Sequence, residues 1–152
     1  AGGVVARMAA STPERSAAAA ARLGAEGAAE STEALLTADD VDVVHVCTPN
    51  ALHVPVAERA LAAGKPVVCE KPLATTVEDA RRLTTIAQQA ALVATVPFVY
   101  RFYPSVREAR ARIAAGEAGP LRLLHGTYLQ DWLSSLAAPR APSVTSGSTG
   151  AT

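Results

Sequence analysis

Hydrophobic residues in this chain occur mainly in short runs, separated by stretches in which they recur at helical spacing. The clearest runs cover residues 41–47, 66–70 and 92–96. Their nearly continuous apolar character is typical of parallel strands that are covered on both faces. Weaker strand candidates lie near residues 3–10 and 25–29. Strands that alternate with helices at this spacing predict right-handed crossovers and an α/β fold with a doubly wound parallel sheet.

Capping residues mark where the helices between these strands begin and end. Thr12 stands in the N-cap position before Pro13, a residue that suits the first helical turn, and Gly24 provides a natural stop. Thr75 or Thr76 provides a similar start further along the chain. Further helices are predicted over residues 32–37, 53–64, 76–90 and 104–115, and a last strand is predicted over residues 121–129.

Composition and charge narrow the class of protein. Of the 152 residues, 49% are hydrophobic, which suits a folded domain. The 14 basic residues balance the 14 acidic ones, so charge gives no reason to expect a nucleic acid or an anionic membrane as a partner. No apolar run reaches the ~18 residues of a membrane span, and we expect a cytoplasmic protein.

The cysteines and the end of the chain carry little chemistry. Cys47 and Cys69 each lie in an apolar, strand-like run. We predict that both are small buried hydrophobic residues rather than a redox pair or metal ligands, and we expect no metal site. Residues 134–152 consist largely of Ser, Ala, Pro, Thr and Gly, and we predict a disordered low-complexity tail, because such a sequence cannot bury enough apolar surface.

Polar residues follow two of the predicted strands at the point where each strand ends. Asn50 comes shortly after the run at residues 41–47, and Lys71 comes directly after the run at residues 66–70. Ligands of open parallel sheets bind just beyond the carboxyl ends of the strands, so both residues should emerge at one rim, from neighbouring strands that run the same way. A lysine ammonium there could stabilise negative charge on a reacting oxygen. The alternatives are a solvated lysine at a strand end and, for Asn50 and His53, a turn or N-cap role.

The same two segments resemble a known family. The sequence T-P-N-A-L-H at residues 48–53 and the sequence E-K-P at residues 70–72, at this separation, are similar to the Gfo/Idh/MocA family of NAD(P)-dependent oxidoreductases. That family includes glucose–fructose oxidoreductase and inositol dehydrogenase. The resemblance implies hydride transfer between a nicotinamide and a hydroxyl-bearing carbon of a sugar or polyol. It also implies a Rossmann-type NAD(P)-binding domain followed by an α+β substrate domain.

The resemblance assigns roles and domain boundaries. It gives Lys71 the catalytic position, with a peptide bond to the following proline that is typically cis. The cofactor-binding residues that it implies are Thr48, Pro49, Asn50, His53, Glu70, Lys71 and Arg101. We predict a partial NAD(P)-binding Rossmann domain at residues 1–98, the beginning of the α+β domain at residues 99–133, and the tail at residues 134–152.

Two family features have no counterpart in this sequence. No G-x-G-x-x-G motif, which would hold the cofactor pyrophosphate at a helix amino terminus, occurs in the 152 residues. The later family segment with its Asp and His proton acceptor is not matched either. We therefore expect an internal fragment of a larger enzyme, with a sheet that lacks its first and central strand, and we expect the fragment to be inactive alone. The alternatives are a non-catalytic nucleotide-binding or interaction module derived from such an enzyme, and a product without a stable fold.

The end of the first predicted strand bears on the choice of cofactor. NAD-specific sites place an Asp or Glu there to bind the ribose 2′-hydroxyl. This chain has Ser11 and Thr12, with Arg15 nearby and no carboxylate at residues 10–12. Such a site tolerates a 2′-phosphate, so we predict that these three residues bind the cofactor and that NADP is preferred over NAD. The expected partner is a small sugar or polyol, and the resemblance also allows a homo-oligomer of the intact enzyme.

Overall fold

The computed structural model describes residues 2–129, in which strands and helices alternate. The elements in chain order are β1 (Arg7–Met8), α1 (Pro13–Leu23), β2 (Gly27–Ala28), α2 (Thr32–Leu36), β3 (Val44–Val46), α3 (His53–Ala62), β4 (Val67–Cys69), α4 (Val77–Ala90), β5 (Ala94–Thr95) and α5 (Pro104–Ala114). Short 3₁₀-helices follow β3 and β5, at Asn50–Leu52 and Val99–Phe102. Each predicted helix is present, and the strands are shorter than predicted.

The helix boundaries follow from the capping residues. Thr12 is the N-cap of α1, and its hydroxyl accepts a hydrogen bond from the backbone N–H of Arg15 at 3.3 Å. The helix ends at Gly24, whose φ of 69° lies in the left-handed region that glycine adopts without strain. Thr76 caps α4 in the same way, accepting from the N–H of Asp79 at 3.1 Å. The predicted starts of both helices are confirmed.

All strand pairs in the described residues are parallel, and they form two sheets. β1 pairs with β2, while β3, β4 and β5 form a three-stranded sheet in that order. The predicted α/β fold with parallel strands is confirmed. In the strand order 3-2-1-4-5-6, strand 1 is central, so two sheets in place of one is the arrangement expected for a chain without that strand.

The hydrophobic core lies around the three-stranded sheet. α3 packs against β3, β4, α2 and α4, and it is buried along most of its length. Leu36 of α2 and Leu83 of α4 close the core and are 1% and 5% exposed. Burial of one such leucine side chain contributes roughly 1.5–3 kcal/mol. The loops that leave β3 and β4 therefore start from a rigid, well-packed base.

The structure contradicts the predictions for residues 121–129 and for Cys47, and it covers β3 on one face only. Residues 121–129 form no strand, and Leu123 and Leu124 are exposed. A strand needs a neighbour for its N–H and C=O groups, and within the described residues this segment pairs with none. Cys69 is buried as predicted, but Cys47 is exposed, because successive strand residues point to opposite faces and Val46 takes the buried one. The tail predicted at residues 134–152 lies outside the described residues.

The chain divides into two compact units, Ala1–Arg107 and Glu108–Thr152. The first contains both sheets and the helices from α1 to α4. In the described part of the second, the Arg112 and Glu108 side chains form an ion pair of 2.8 Å, and a turn follows in which Gly116 and Gly119 take positive φ. Among residues 2–129, no helix combines the length and the apolar character that crossing a bilayer requires.

Candidate functional site

The carboxyl ends of β3 and β4 form a common rim. The two strands are adjacent and parallel, with Val46 opposite Cys69. The last bond between them runs from the N–H of Glu70 to the carbonyl of Val46, at 3.0 Å. The loops at residues 47–52 and 70–76 both leave from this end, which we call the rim. The prediction that Asn50 and Lys71 emerge at one rim from neighbouring parallel strands is confirmed.

The loop after β3 turns sharply into a helix. Pro49 has φ −55° and ψ 145°, and its carbonyl accepts a hydrogen bond from the N–H of Leu52 at 2.8 Å, which closes the 3₁₀ turn that starts at Asn50. Asn50 is half-buried. The Oγ1 atom of Thr48 is buried and has no hydrogen-bond partner within the described residues.

The loop after β4 presents Lys71. Its side chain is exposed, and its peptide bond to Pro72 is cis, as the resemblance implies. The carboxylate of Glu70 accepts a hydrogen bond from the backbone N–H of Lys71 at 3.2 Å, and lies 3.8 Å from the Nε2 atom of His45. Glu70 therefore holds the main chain of Lys71 through this bond, while the Lys71 side chain is exposed.

Cys47 is the first residue of the rim loop that follows β3. Partial burial, and then the negative charge of Glu70, raise the pKa of the Cys47 thiol. A raised pKa keeps a thiol protonated, and the thiolate is the nucleophilic form. Cys47 is therefore poorly suited to act as a nucleophile.

His53 is the first residue of α3 and is only 1% exposed. Its Nδ1 atom lies 2.7 Å from the carbonyl oxygen of Pro72, and its Nε2 atom lies 2.8 Å from the carbonyl oxygen of Thr48. Both ring nitrogens already have partners in the protein. This geometry differs from the prediction that His53 binds the cofactor, because no ring nitrogen is left to contact a ligand.

Three more predicted cofactor residues, Ser11, Thr12 and Arg15, lie between the end of β1 and the first turn of α1. The Nη1 atom of Arg15 donates a hydrogen bond to the hydroxyl of Ser11 at 3.0 Å, so these two side chains are held together. Glu14 is a residue that sequence reasoning left out of the site. The Thr12 hydroxyl bonds its carboxylate and lowers the pKa of Glu14, so that a negative charge stands in the same turn as Arg15. The position of Glu14 in the first turn of α1, next to Arg15, could have identified it from the sequence.

Arg101 lies outside the two loops of the rim, whereas a cavity along α4 borders the loop at residues 70–76 through Leu73. Arg101 is in the 3₁₀-helix that follows β5, one strand further along the sheet than Lys71, and it is exposed. A cavity of about 320 Å³ is lined by apolar residues that include Leu61, Leu83 and Leu92. Binding sites combine an apolar lining with a few convergent polar groups, and the polar loops of this chain meet at the rim.

Comparison with known proteins identifies the family. Residues 3–98 match the Gfo/Idh/MocA oxidoreductases, a family with an NAD-binding Rossmann fold. The chain belongs to this family. The matched segment includes both sheets and both loops of the rim, so the oxidoreductase family and the Rossmann-type fold expected from the sequence are confirmed.

Gfo/Idh/MocA relatives are longer than this chain. Levoglucosan dehydrogenase from Pseudarthrobacter phenanthrenivorans is 37% identical over 132 residues, which make up 87% of this chain and 34% of that protein. Inositol 2-dehydrogenase from Corynebacterium glutamicum is 38% identical over 76% of this chain and 35% of its own length. A solved oxidoreductase domain protein from Kribbella flavida has a TM-score of 0.84 at 38% identity, over 91% of this chain and 38% of that one. The chain spans about a third of the length of the curated relatives it matches.

The rim suits part of the dinucleotide that this family binds. A buried hydroxyl normally has a hydrogen-bond partner, and Thr48 Oγ1 has none in the described residues. A polar group of a bound ligand could supply that partner. The Asn50 amide both donates and accepts, and the Lys71 ammonium donates. The glycine-rich motif that would hold the pyrophosphate is not among the 152 residues. The residues present therefore fit the cofactor only in part.

Proposed function

We propose that this chain is part of an NAD(P)-dependent oxidoreductase that transfers a hydride between a nicotinamide and a hydroxyl-bearing carbon of a sugar or polyol. The observation that carries the proposal is the rim, where Asn50 and Lys71 leave adjacent parallel strands at the edge where such sheets bind ligands. The names of the relatives, which include a levoglucosan dehydrogenase and an inositol 2-dehydrogenase, support a substrate of this class.

Lys71 is the residue that we propose to act on the substrate. Oxidation of an alcohol to a carbonyl removes a hydride from carbon and a proton from oxygen. The exposed ammonium of Lys71 would donate a hydrogen bond to that oxygen and stabilise the negative charge that develops on it as the proton leaves. An ammonium has no lone pair, so the proton acceptor must be another group. A bound nicotinamide would supply the site that accepts or gives the hydride.

The cofactor would lie along the two loops of the rim and reach the end of β1. Thr48, Pro49 and Asn50 would line its path after β3, and Glu70 would contribute through its contact with the main chain of Lys71. Arg101 stays a predicted contact from the segment after β5.

Ser11, Thr12 and Arg15 would bind the ribose at the other end of the cofactor. The Arg15 guanidinium, held by Ser11, supports the preference for NADP, whereas the Glu14 carboxylate nearby opposes it. Among the relatives, a levoglucosan dehydrogenase has been solved with NADH, and a D-xylose 1-dehydrogenase from Haloarcula marismortui is named for NADP. We keep NADP as the proposed preference.

We further propose that the chain alone does not turn over a substrate. A dinucleotide held without a pyrophosphate site loses its strongest anion contacts. The second candidate is a non-catalytic nucleotide-binding or interaction module. The Thr48 hydroxyl, which has no hydrogen-bond partner among residues 2–129, favours at least a ligand at the rim. A cytoplasmic location and a homo-oligomer of the intact enzyme stay predictions.

Two measurements test the proposal. Titration of the chain with NADH and NADPH, followed by nucleotide fluorescence, should saturate if the rim binds the nicotinamide end. Turnover assays with sugars and polyols should be negative for the chain and positive for the full-length protein that contains it. Saturable binding without turnover in the full-length protein would favour the non-catalytic module, and absence of binding in both would contradict the proposal.

A further inference from the structure

We propose that His53 is a positioning residue, which sets the separation of Asn50 and Lys71 across the rim. Its ring joins the carbonyl group of Thr48 to that of Pro72, and we call this unit the His53 clamp. The consequence for catalysis rests on the proposed function, but the clamp itself rests on contacts within the chain.

The hydrogen bonds define what the ring must do. A carbonyl oxygen only accepts hydrogen bonds, and each ring nitrogen of His53 faces one, at 2.7 and 2.8 Å. A neutral imidazole carries one hydrogen and would leave a nitrogen lone pair against an oxygen lone pair. Whichever ring nitrogen carries hydrogen therefore donates to one of the two loop carbonyls, and the other nitrogen packs against the second.

The position of the clamp links the loops to the core. The bonds between β3 and β4 end with the N–H of Glu70 and the carbonyl of Val46, at 3.0 Å, and the ring of His53 connects the chains beyond that point. His53 begins α3, whose following residues Val54 and Val56 are 4% and 7% exposed. The clamp thus fixes both loops to the best-buried helix of the structure.

The two clamped carbonyls stand next to the functional residues. Pro72 directly follows Lys71, and Thr48 precedes Asn50 by two positions. Loss of the clamp frees both loops at once, while the strands beneath them stay paired. A displacement of about 1 Å between reacting groups can lower a reaction rate on the order of 100-fold, so a small change here matters for transfer between bound groups.

A pair of variants separates positioning from general stability. His53→Phe keeps a ring of similar size and removes both donors. Lys65→Met is the matched control, because the Nζ atom of Lys65 also donates to two carbonyl oxygens, those of Ala38 at 2.9 Å and Val41 at 2.7 Å. Those carbonyls lie at the amino ends of the strands, away from the rim.

The first readouts are spectroscopic. NMR of the unaltered chain should show a ring N–H of His53 that is protected from exchange with solvent by its bond to a loop carbonyl. His53→Phe should shift the carbonyl carbon signals of Thr48 and Pro72 and the amide signals of Asn50 and Lys71. Lys65→Met should leave these four signals in place, even if it lowers the melting temperature as much. NADH should bind roughly tenfold more weakly to His53→Phe, and with unchanged affinity to Lys65→Met.

Three results would overturn the clamp: a His53 ring without an exchange-protected N–H, unchanged Asn50 and Lys71 signals in a folded His53→Phe variant, or equal shifts in Lys65→Met. If His53→Phe does not fold, NMR of the His53 ring in the unaltered chain still tests whether the clamp exists. If the unaltered chain does not bind NADH, the proposed function fails, while the NMR readouts continue to test the clamp alone.

Discussion

The two sheets of this protein differ in what lies behind them. Helices α2, α3 and α4 pack behind the three-stranded sheet. All residues of the main hydrophobic core lie in the segment from Leu36 to Leu83, which includes β3, α3 and β4. The two-stranded sheet is covered by α1, which buries only Ser16 and Ala20. Near β1, Val4 and Val5 are 71% and 53% exposed. Similar short strands and capped helices therefore yield a rigid region and a thinly supported one.

This difference divides the candidate site. Asn50 and Lys71 leave strands that the core holds in register, and a buried histidine ties their loops together. Ser11 and Arg15 bond each other on the surface and rest on a helix with little buried area. We expect the rim to keep its geometry in this chain. We expect the geometry of the ribose-binding residues to depend on whether other groups cover the exposed side chains near β1.

The largest expected effect concerns the core behind the three-stranded sheet. Leu36→Ala should lower the free energy of unfolding by about 2–5 kcal/mol, because the side chain is 1% exposed and its removal leaves a cavity. Leu23→Ala, in α1, removes a side chain that is 58% exposed and should change stability by at most about 0.5 kcal/mol. Urea denaturation of both variants checks the comparison. Equal losses would mean that the two regions share one core.

The next effect is on the chemistry of the rim. In the full-length enzyme that we propose contains this chain, Lys71→Met should lower kcat on the order of 100- to 1,000-fold, because a preorganised donor to the reacting oxygen is lost. NADH affinity should fall by a smaller factor than kcat, because Lys71 is also a predicted cofactor contact. Arg22→Met, which removes an exposed cation from α1, is the control and should retain full turnover. A Lys71→Met enzyme with normal kcat would remove Lys71 from the catalytic role.

A smaller effect is expected at the thinly supported end. Arg15→Ala should weaken NADPH binding about tenfold, because a charged partner of the 2′-phosphate is lost, and should leave NADH binding unchanged. Glu14→Gln should act in the opposite direction and strengthen NADPH binding, since it removes the negative charge of the same turn. Nucleotide titrations of the full-length protein measure both. Equal losses for the two cofactors in Arg15→Ala would argue against NADP preference.

The sequence predicts local features of this molecule better than contacts between distant segments. Helix caps act on neighbouring backbone groups, so the sequence predicts the capping roles of Thr12, Gly24 and Thr76. The wrong strand at residues 121–129 depended on a partner strand, which local pattern cannot supply.

The candidate site shows the same limit. The rim followed from two apolar runs and the rule for parallel strands. The His53 clamp could not be predicted in this way, because its two carbonyl partners lie 5 and 19 residues away. Every residue has a main-chain carbonyl, so the sequence does not show which ones accept a hydrogen bond from the ring. The exposure of Cys47 was within reach, since strand alternation already assigns Val46 and the next residue to opposite faces.

The smallest effect concerns an ion pair that joins the two regions. The Nε atom of Arg7, in β1, donates to both carboxylate oxygens of Asp40, at 2.7 and 2.9 Å, and Asp40 precedes β3. The hydrogen bond from Arg7 lowers the pKa of Asp40. A lowered carboxyl pKa means that the pair stabilises the fold at all pH values above the ordinary aspartate pKa, and that this contribution is lost as the pH falls through the lowered value.

Asp40→Asn isolates this contribution. The variant should be slightly less stable than the unaltered chain at about pH 6, and the difference should vanish at strongly acidic pH, where both forms lack the charge. High salt should shrink the difference at neutral pH, because both side chains are solvent-accessible. Amide exchange at Ala29, whose N–H donates to the carbonyl of Met8 at 2.8 Å, should report the loss more strongly than exchange at Cys69 in the core. A loss that is equal at both amides would show that the two sheets unfold as one cooperative unit, because only then would a surface contact at β1 be transmitted undiminished to β4.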